Sequence, residues 1–303
     1  VLLHALPLFH VHGLFVASHG ALFSGSKTIF LPKFDAAEVL KHLPRSTVFM
    51  GVPTYYVRLL CEPSFDRTAC AGMRLFVSGS APLLIDTFNT FTERTGHTIL
   101  ERYGMSETTM LVSNPYEGKR AGGTVGLPLP GVSVRVVRSD GTQCEMEEIG
   151  DIQVKGPNVF KGYWRMPEKT AEEFTPDGFF RTGDVGKFDA AGYLSIVGRS
   201  KDLIISGGYN VYPKEIESFI DELDDVVESA VIGVPHPDFG EAVAAVVIAT
   251  PDSALSEAEL IGALKTKIAN FKVPKRVYFM VELPRNAMGK VQKNVLRDLL
   301  KDA

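Results

Sequence analysis

Short apolar runs alternate with helix-length amphipathic stretches through the first hundred residues, and this alternation restricts the fold more than any other feature of the chain. The runs are rich in β-branched and aromatic residues, which favour β-strands. The runs occupy residues 28–33, 47–53, 73–79 and 98–104, and the stretches occupy residues 35–43, 53–62 and 82–96. Since helices that connect successive strands place those strands in a parallel sheet, the sequence predicts an α/β fold here.

The ends of two predicted helices are recognisable. Asp35 is a residue type that caps helix N-termini. Pro82 stands where the first turn of a helix accepts proline, and Gly96 stands where a helix ends. We therefore expect one helix to begin after Asp35 and another to have Pro82 in its first turn.

The texture of the sequence changes twice after the first hundred residues. From about Gly122, short strand-like segments are separated by Gly, Pro and Asp, which is typical of an antiparallel roll. After Arg199, strands mix with amphipathic helices in a segment that predicts a small α+β domain. The predicted domains are residues 1–200 and residues 201–303.

Two helices of the second domain are well marked. Ile216, Phe219 and Ile220 have the spacing of one apolar helix face. Ser256, followed three residues later by Glu259, has the pattern of a capping box at a helix start. Both patterns are local, so both predictions depend on few assumptions.

The composition excludes several classes of protein. Of 303 residues, 45% are hydrophobic and 22% are charged, which is ordinary for a globular protein. The net charge of −4 argues against a nucleic-acid partner. No apolar run approaches the roughly 20 residues that span a bilayer. The three cysteines lack metal-binding spacing. We expect a cytoplasmic protein without a membrane or nucleic-acid partner.

The chain opens directly into a strand-like run. Val1 begins the run, with no initiator Met and no signal-peptide pattern before it. The expectation from this start is an N-terminally truncated piece of a longer chain.

Four motifs follow one another in the sequence: YGMSET at 103–108, RTGD at 181–184, GRSKDLIISGGYNVYPKEIE at 198–217 and PRNAMGK at 284–290. Together with FHVHG at 9–13 and SGSAPL at 78–83, they make nearly the whole chain resemble the acyl- and aryl-CoA synthetases of the adenylate-forming superfamily. The resemblance implies the remainder of a large adenylate-forming domain, with a parallel βαβ part and an antiparallel β-roll, followed by a small C-terminal α+β domain.

Such enzymes join a carboxylate to the α-phosphate of ATP and then transfer the acyl group to a thiol. The resemblance therefore implies ATP, Mg²⁺ and coenzyme A. In YGMSET, Glu107 would hold Mg²⁺ as a catalytic residue, Ser106 would bond phosphate and Tyr103 would stack on adenine. The family usually has Thr where Ser106 stands, and the hydroxyl is kept. Without the other motifs, Glu107 would be interpreted as a surface residue of a turn.

The remaining nucleotide contacts also follow from the resemblance. Ser80 and Ala81 would line the adenine edge, Asp184 would accept hydrogen bonds from the ribose hydroxyls, and Arg199 would contact the nucleotide. On its own, the Thr-Gly-Asp segment that ends at Asp184 would be ordinary turn chemistry. A hydrolase is disfavoured because no GxSxG motif surrounds Ser78 or Ser80.

Lys290 is the second catalytic candidate. The resemblance implies that its ammonium group reaches the α-phosphate only during adenylation and that the small domain then pivots at Lys201. Gly207 and Gly208 would then leave room for the pantetheine arm of coenzyme A. A protein acetyltransferase that modified Lys290 would remove its charge. The alternative for a single lysine is a solvated surface residue.

The phosphate loop of the family ends in Pro-Lys-Gly and lies upstream of FHVHG, and this sequence starts too late to contain it. Loss of even one oxyanion-type hydrogen-bond donor typically costs about 10²-fold or more. We expect this chain alone to work at under about 1% of an intact rate.

The sequence contains the runs MGVPTYYVRLL, RLFVSGSAPL, ERYGMSET, VKGPNVFKGYWRMPEKT, GGYNVYPKEIES and LPRNAMGKVQKNVLR. These runs resemble the malonyl-CoA synthetase branch of the superfamily, and the resemblance implies a role in fatty acid metabolism. Arg58 is the candidate for binding the second carboxylate of malonate. His12, Ser78 and Met105 would complete the acyl pocket.

Several alternatives to this assignment stay open. Arg58 could be a helix-surface arginine and His12 a packing residue at a helix start. A metal site at His10 and His12 lacks a third ligand. The acid could be methylmalonate, acetate, a medium-chain acid or an aromatic acid, and the chain could be an inactive nucleotide-binding fragment. A peptide-synthetase adenylation domain is less favoured because no carrier domain follows Lys290.

Overall fold

A computed structural model describes residues 1–251, 253–286 and 290–301. The chain divides into two compact units, the first comprising Val1–Thr182 with Gly186–Ile196 and the second Gly183–Val185 with Val197–Ala303. Both units combine helices with β-sheets. The predicted α/β class is confirmed.

The main sheet of the first unit has seven strands, and the five at one side are parallel. The last two strands run antiparallel to their neighbours. In spatial order the strands are β2 (Thr28–Phe30), β1 (Leu2–His4), β3 (Val48–Gly51), β4 (Leu75–Ser78), β5 (Leu100–Tyr103), β6 (Val112–Ser113) and β7 (Leu127–Pro128). The carboxyl ends of five parallel strands therefore share one edge.

Five α-helices are described in the first unit: α1 (His19–Phe23), α2 (Ala36–His42), α3 (Pro53–Leu60), α4 (Ile85–Thr95) and α5 (Pro167–Glu173). A π-helical segment spans His12–Ser18 and a 3₁₀ turn spans Leu43–Arg45. The predicted cap of α2 is present, because the side chain of Asp35 accepts a hydrogen bond from the Glu38 amide at 3.0 Å.

The predicted position of Pro82 is wrong. The helix α4 begins at Ile85, three residues beyond Pro82, although Gly96 ends it at φ 75° as expected. The reason is a long-range contact: the amide of Leu83 donates to a carboxylate oxygen of Glu101 at 3.2 Å, and Leu83 itself is buried. These contacts hold the chain extended before the helix.

An aromatic core fixes the helices against one face of the main sheet. Its largest members are fully buried: Phe49, Tyr56, Phe65, Phe76 and Phe91. Each such side chain contributes about 1.5–3 kcal/mol relative to an exposed one. The hydroxyl of Tyr56 also donates to the carbonyl of Val77 at 2.6 Å, which ties α3 to β4. This packing holds the strand ends in place.

A second sheet of four strands follows. In spatial order it contains β11 (Leu194–Arg199), β10 (Phe180–Phe188), β9 (Gly150–Lys155) and β8 (Ser133–Val137). The pair β8–β9 is antiparallel, as the texture of the sequence predicted. The RTGD motif lies inside β10, so it is part of a strand instead of a turn, with Gly183 at φ 72°.

The second unit has a five-stranded sheet with β13 (Tyr209–Val211), β12 (Ile204–Ser206), β15 (Gly240–Ala249) and β14 (Val226–His236) in order, and β16 (Arg276–Phe279) beside β15. Its helices are α6 (Pro213–Asp221), α7 (Glu257–Lys265) and α8 (Lys293–Leu300), with a 3₁₀ turn at Ser200–Asp202. The predicted capping box of Ser256 and Glu259 is present.

None of the helices in the described parts of the chain combines the length and the apolar character that crossing a bilayer requires.

Candidate functional site

Three of the predicted motifs lie at the carboxyl edge of the parallel strands. His12 follows β1, Ser78 ends β4 with Ser80 just beyond it, and residues 104–107 follow β5. Ligands of open α/β sheets bind outside the carboxyl ends of the strands. The topology therefore brings three segments that are distant in the sequence to the edge where a ligand is expected.

His12 and Ser80 form a direct contact at this edge. The Nδ1 atom of His12 lies 3.2 Å from Oγ of Ser80, and His12 is only 3% exposed. Burial lowers the pKa of His12 to about 3, and the charges of His10 and Arg102 act in the same direction. The imidazole is therefore neutral near pH 7, so His12 forms hydrogen bonds at this edge without adding a positive charge. His12 also begins the π-helical segment, so its predicted packing role stays open.

Ser78 and Ser80 differ in their surroundings. Ser78 is fully buried, and its Oγ has no hydrogen-bond partner among the described residues. Ser80 has φ 71°, a left-handed conformation that is uncommon outside glycine and that often marks functional sites. Ala81, which follows, is exposed. A polar atom of a bound substrate would satisfy the buried hydroxyl of Ser78.

The YGMSET segment is a tight loop that only a glycine permits at its second position. A Cβ atom added to Gly104 would lie 2.0 Å from the carbonyl oxygen of Thr109. The amide of Thr109 donates to the carbonyl of Met105 at 2.8 Å. The side-chain nitrogen of Asn158 donates to the carbonyl of Met110 at 2.7 Å and so closes the loop from outside. This shape leaves Ser106 exposed.

Glu107 is held at two points by one segment of the chain. The amide of Phe160 donates to the carbonyl of Glu107 at 2.7 Å, and the hydroxyl of Tyr163 donates to its Oε1 at 3.2 Å. Burial, and then the charge of Glu107, raises the pKa of Tyr163 to about 12, so the phenol keeps its proton.

The carboxylate of Glu107 fits magnesium that arrives with a nucleotide. Among the described residues, no three His, Cys, Asp or Glu side chains gather as a metal site. Magnesium in nucleotide sites takes only one or two protein carboxylates and completes its shell with phosphates and water. One half-buried carboxylate on a fixed loop matches that donor set.

Tyr103 and Met105 are half-buried and pack against an apolar cluster of the first unit that includes Leu111 and Val125. This packing limits the freedom of both side chains at the edge of the sheet.

Arg102 was missed by the sequence analysis. It precedes Tyr103 on β5, and burial together with the charge of Arg120 lowers the pKa of Arg102. Within the described parts of the chain it forms no ion pair, and its Nε has no hydrogen-bond partner. The positive charge of Arg102 lowers the pKa of buried His12. The signal in the sequence was an arginine beside the YGMSET motif, but its burial could not be seen there.

Arg58 is not joined to this group by any described contact. It lies exposed on α3, whose buried face carries Tyr56 and Leu59. The structure therefore gives two arginines for one predicted role, an exposed one on a helix and a half-buried one on a strand.

The second unit gathers three predicted charges. Oδ1 of Asp184 lies 3.2 Å from Nε of Arg199, and Asp184 is 6% exposed. Lys290 is half-buried, and burial lowers its pKa. The charge of Arg199 acts in the same direction, while that of Asp184 opposes it. The charges of Arg199 and Asp184 therefore both influence the pKa of Lys290.

The backbone of Lys290 is held from both sides by Asn286. The amide of Asn286 donates to the carbonyl of Lys290 at 3.0 Å, and the amide of Lys290 donates to Oδ1 of Asn286 at 3.1 Å. Arg285 and Val291 form an antiparallel bridge beside them. Ala287, Met288 and Gly289 of the PRNAMGK motif lie outside the described residues.

Gly207 and Gly208 form the two-residue turn between β12 and β13, with φ of 58° and 82°. Positive φ at both positions is the conformation that favours glycine in hairpin turns. A Cβ at Gly208 would meet no atom within 4 Å, so the requirement is conformational instead of steric. Lys201 is exposed in the 3₁₀ turn at Ser200–Asp202.

Comparison with known proteins gives consistent matches. A sequence model described as AMP-binding enzyme matches residues 1–164, and one described as AMP-binding enzyme C-terminal domain matches residues 215–290. A probable CoA ligase CCL8 of Humulus lupulus is 41% identical over 98% of this chain and 54% of its own length. A malonate–CoA ligase of Arabidopsis thaliana is 41% identical over 99% of this chain and 54% of its own length.

A solved structure resembles the chain closely. The crystal structure of ATP-bound MatB from Rhodopseudomonas palustris has a TM-score of 0.97 and 58% identity, over 99% of this chain and 60% of that one. The chain thus spans little more than half the length of these relatives.

Proposed function

The chain belongs to the AMP-binding enzyme family, and from this premise we propose that it takes part in the ATP-dependent ligation of malonate to coenzyme A through an acyl-adenylate. Relatives named malonate–CoA ligases support the acid, with 41% identity in Arabidopsis thaliana and 39% in Mus musculus. Methylmalonate differs from malonate by one methyl group and is included in the proposal.

The half-buried arginine at the edge of the sheet, whose Nε is enclosed without a hydrogen-bond partner in the described residues, is the observation that carries the choice of acid. A partly desolvated cation without an anion is costly, because desolvation favours the neutral form and arginine does not give up its proton. Arg102 has no ion-pair partner among the described residues and acts electrostatically on His12. Malonate brings a second carboxylate that remains ionised while the first reacts, and this group would pair with Arg102.

Two other groups near this edge suit a small polar acid. Ser78 has a buried hydroxyl without a partner in the described residues, and His12 is neutral. Both are donors or acceptors for oxygen atoms and neither adds charge. Arg58 remains the second candidate for the free carboxylate, and its exposure makes it the weaker one.

The first unit would hold the nucleotide through the residues that the family motif assigns. Ser106 would bond phosphate and Tyr103 would stack on adenine, with Ser80 and Ala81 at the adenine edge. Glu107 would hold Mg²⁺, which would offset the charge of the phosphates as the carboxylate of the acid approaches.

The second unit would supply the remaining groups. Asp184 would accept hydrogen bonds from the ribose hydroxyls, with Arg199 beside it at 3.2 Å. Lys290 would place its positive charge at the α-phosphate during adenylation. Lys201 remains the proposed pivot, and the Gly207–Gly208 turn the proposed contact of the pantetheine arm.

A cytoplasmic location and acetylation of Lys290 by a protein acetyltransferase are further proposals. The half-buried position of Lys290 means that an acetyltransferase would have to reach it when the surrounding residues move aside. Acetylation would remove the charge on which the proposed role depends.

The test is ATP–pyrophosphate exchange by the whole protein that carries this chain, with malonate, methylmalonate, acetate and coumarate as separate substrates. We expect malonate to support exchange at least about tenfold better than acetate, the discrimination that about 1.4 kcal/mol provides. Equal exchange with acetate would make the protein a general small-acid synthetase. Absence of nucleotide binding in calorimetry would instead identify an inactive relative.

A further inference from the structure

The segment after β9 contacts the YGMSET loop through both Phe160 and Tyr163. Tyr163 lies 56 residues beyond Glu107, yet its hydroxyl donates to Oε1 of that carboxylate at 3.2 Å. Phe160, from the same segment, donates its amide to the carbonyl of Glu107. One short segment thus holds both the backbone and the side chain of Glu107.

We propose that Tyr163 is a positioning residue that orients the carboxylate of Glu107 for the magnesium of the bound nucleotide. The inference rests on the proposed function, in which Glu107 holds that metal. The phenol engages one carboxylate oxygen and so fixes the plane of the group. Residues that orient a metal ligand in this way remove the cost of ordering it when the metal arrives.

Side-chain hydrogen bonds and close packing fix the turn that carries Tyr163. The amide of Tyr163 donates to Oγ1 of Thr170 at 2.9 Å, and that hydroxyl donates to the carbonyl of Met166 at 2.8 Å. Gly162, at φ 149°, packs so closely that an added Cβ would lie 2.7 Å from Cγ2 of Thr170. The start of α5 and the turn before it are therefore joined by side-chain hydrogen bonds.

The ring of Tyr163 has its own support. Its centroid lies 4.8 Å from that of Phe160 at an interplanar angle of 71°, an edge-to-face arrangement. The next residue, Trp164, is 85% exposed and extends away from this packing. Replacement of Tyr163 by Phe therefore removes the hydroxyl and keeps the ring contact.

A matched control exists in the same unit. Tyr193 donates its hydroxyl to the carbonyl of Lys119 at 2.8 Å, far along the chain from the YGMSET loop. Tyr193→Phe also removes one tyrosine hydroxyl and one hydrogen bond that it donates, but it leaves the contacts of Glu107 unchanged. A general effect of losing such a bond would appear in both variants.

The experiment measures binding of the non-hydrolysable α,β-methylene ATP by calorimetry, with and without Mn²⁺ as a magnesium substitute, in the whole protein that carries this chain. The readout is the gain in nucleotide affinity that the metal provides. We expect Tyr163→Phe to reduce this gain about tenfold, the lower end of the 10–100-fold range for residues that orient a metal ligand. The metal-free affinity and the Tyr193→Phe values should stay at the wild-type level.

Two further variants, Glu107→Gln and the double variant Tyr163→Phe/Glu107→Gln, test whether Tyr163 acts through Glu107. If Tyr163 acts through Glu107, the double variant loses no more of the metal-dependent gain than Glu107→Gln alone. A full gain in Tyr163→Phe, with the gain lost in Glu107→Gln, overturns this inference and leaves the proposed function standing. A wild-type protein without any metal-dependent gain overturns the proposed function and this inference with it.

Discussion

The proposed site residues of the first unit are held by partners that are distant in the sequence, whereas those of the second unit that follow Arg199 are held by near neighbours. His12 contacts Ser80 across 68 residues, and Glu107 contacts Tyr163 across 56. Lys290, in contrast, is held by Asn286 across four residues. The contacts of His12 and Glu107 can form only when the distant segments of the first unit have come together, whereas the contacts of Lys290 require only a local turn.

This difference suits the two proposed tasks. A group that recognises the acid and the nucleotide gains from a rigid, buried setting, because fixed dipoles need no reorganisation during the reaction. A group that is needed in only one half-reaction gains from a setting that can move as a unit. We therefore expect comparable substitutions to cost more stability in the first unit than in the turns of the second unit.

The largest expected effect separates function from fold in the second unit. Lys290→Ala should slow adenylation by about 10²–10⁴-fold, the scale of one transition-state charge contact. Thioester formation from supplied malonyl-adenylate should be nearly unchanged, as should the free energy of unfolding. Exchange assays and single-turnover assays with the supplied adenylate measure the two half-reactions.

Lys265→Ala is the control for this substitution, because Lys265 is exposed at the end of α7 and forms no ion pair within the described ranges. An equal loss of rate in both half-reactions in Lys290→Ala would show that Lys290 supports the fold and does not act in adenylation alone.

Two glycines compare the stability of the units directly. Gly104→Ala forces a Cβ to within 2.0 Å of the Thr109 carbonyl and should lower the free energy of unfolding by about 3 kcal/mol. Gly208→Ala meets no neighbour within 4 Å, so only its φ of 82° is unfavourable, at about 1 kcal/mol. Urea denaturation measures both values. Similar losses would show that the two turns are equally constrained.

The smallest effect concerns a carboxyl group of the second unit that lies outside the site. Burial raises the pKa of Asp221 to about 6, although Lys214 opposes the shift. The folded state then keeps a proton that the unfolded chain, in which the carboxyl group has its ordinary pKa of 3.8, releases. This group therefore lowers stability as the pH rises from about 4 to about 6.

Asp221→Asn removes that penalty and still accepts the hydrogen bond that Ser229 donates at 2.7 Å. Its stability relative to wild type should rise by on the order of 1 kcal/mol between about pH 4 and pH 7. Urea denaturation at both pH values measures the change. A difference that does not vary with pH would show that Asp221 ionises normally.

The same contrast explains what the sequence could predict. The caps at Asp35 and Ser256 were predicted correctly because each partner lies three residues away. The start of α4 was predicted wrongly because it depends on Glu101, 18 residues beyond Leu83. Local chemistry is readable from a sequence, and contacts across the sheet are not.

For the site, the family motifs supplied residue types but not their surroundings. Arg58 was chosen because its helix follows a strand, and the structure places it in solvent. Arg102 stood beside a recognised motif, yet only the packed sheet shows that it is half-buried, with no ion pair and no partner for its Nε in the described residues. Tyr163 lies in a run that resembles the family, but the sequence does not show that it contacts Glu107, 56 residues away.

The central claim is that the half-buried Arg102 of the first unit recognises the second carboxylate of the acid. Its most direct test is kcat/KM for malonate and for propionate in the whole protein, with wild type, Arg102→Leu and Arg58→Leu, after thermal unfolding has shown that each variant is folded. We predict that Arg102→Leu loses roughly 30- to several-thousand-fold on malonate, the cost of an unpaired charge, and little on propionate. Arg58→Leu should change neither value. A uniform loss for both acids in Arg102→Leu, or a malonate-selective loss in Arg58→Leu, would contradict the claim.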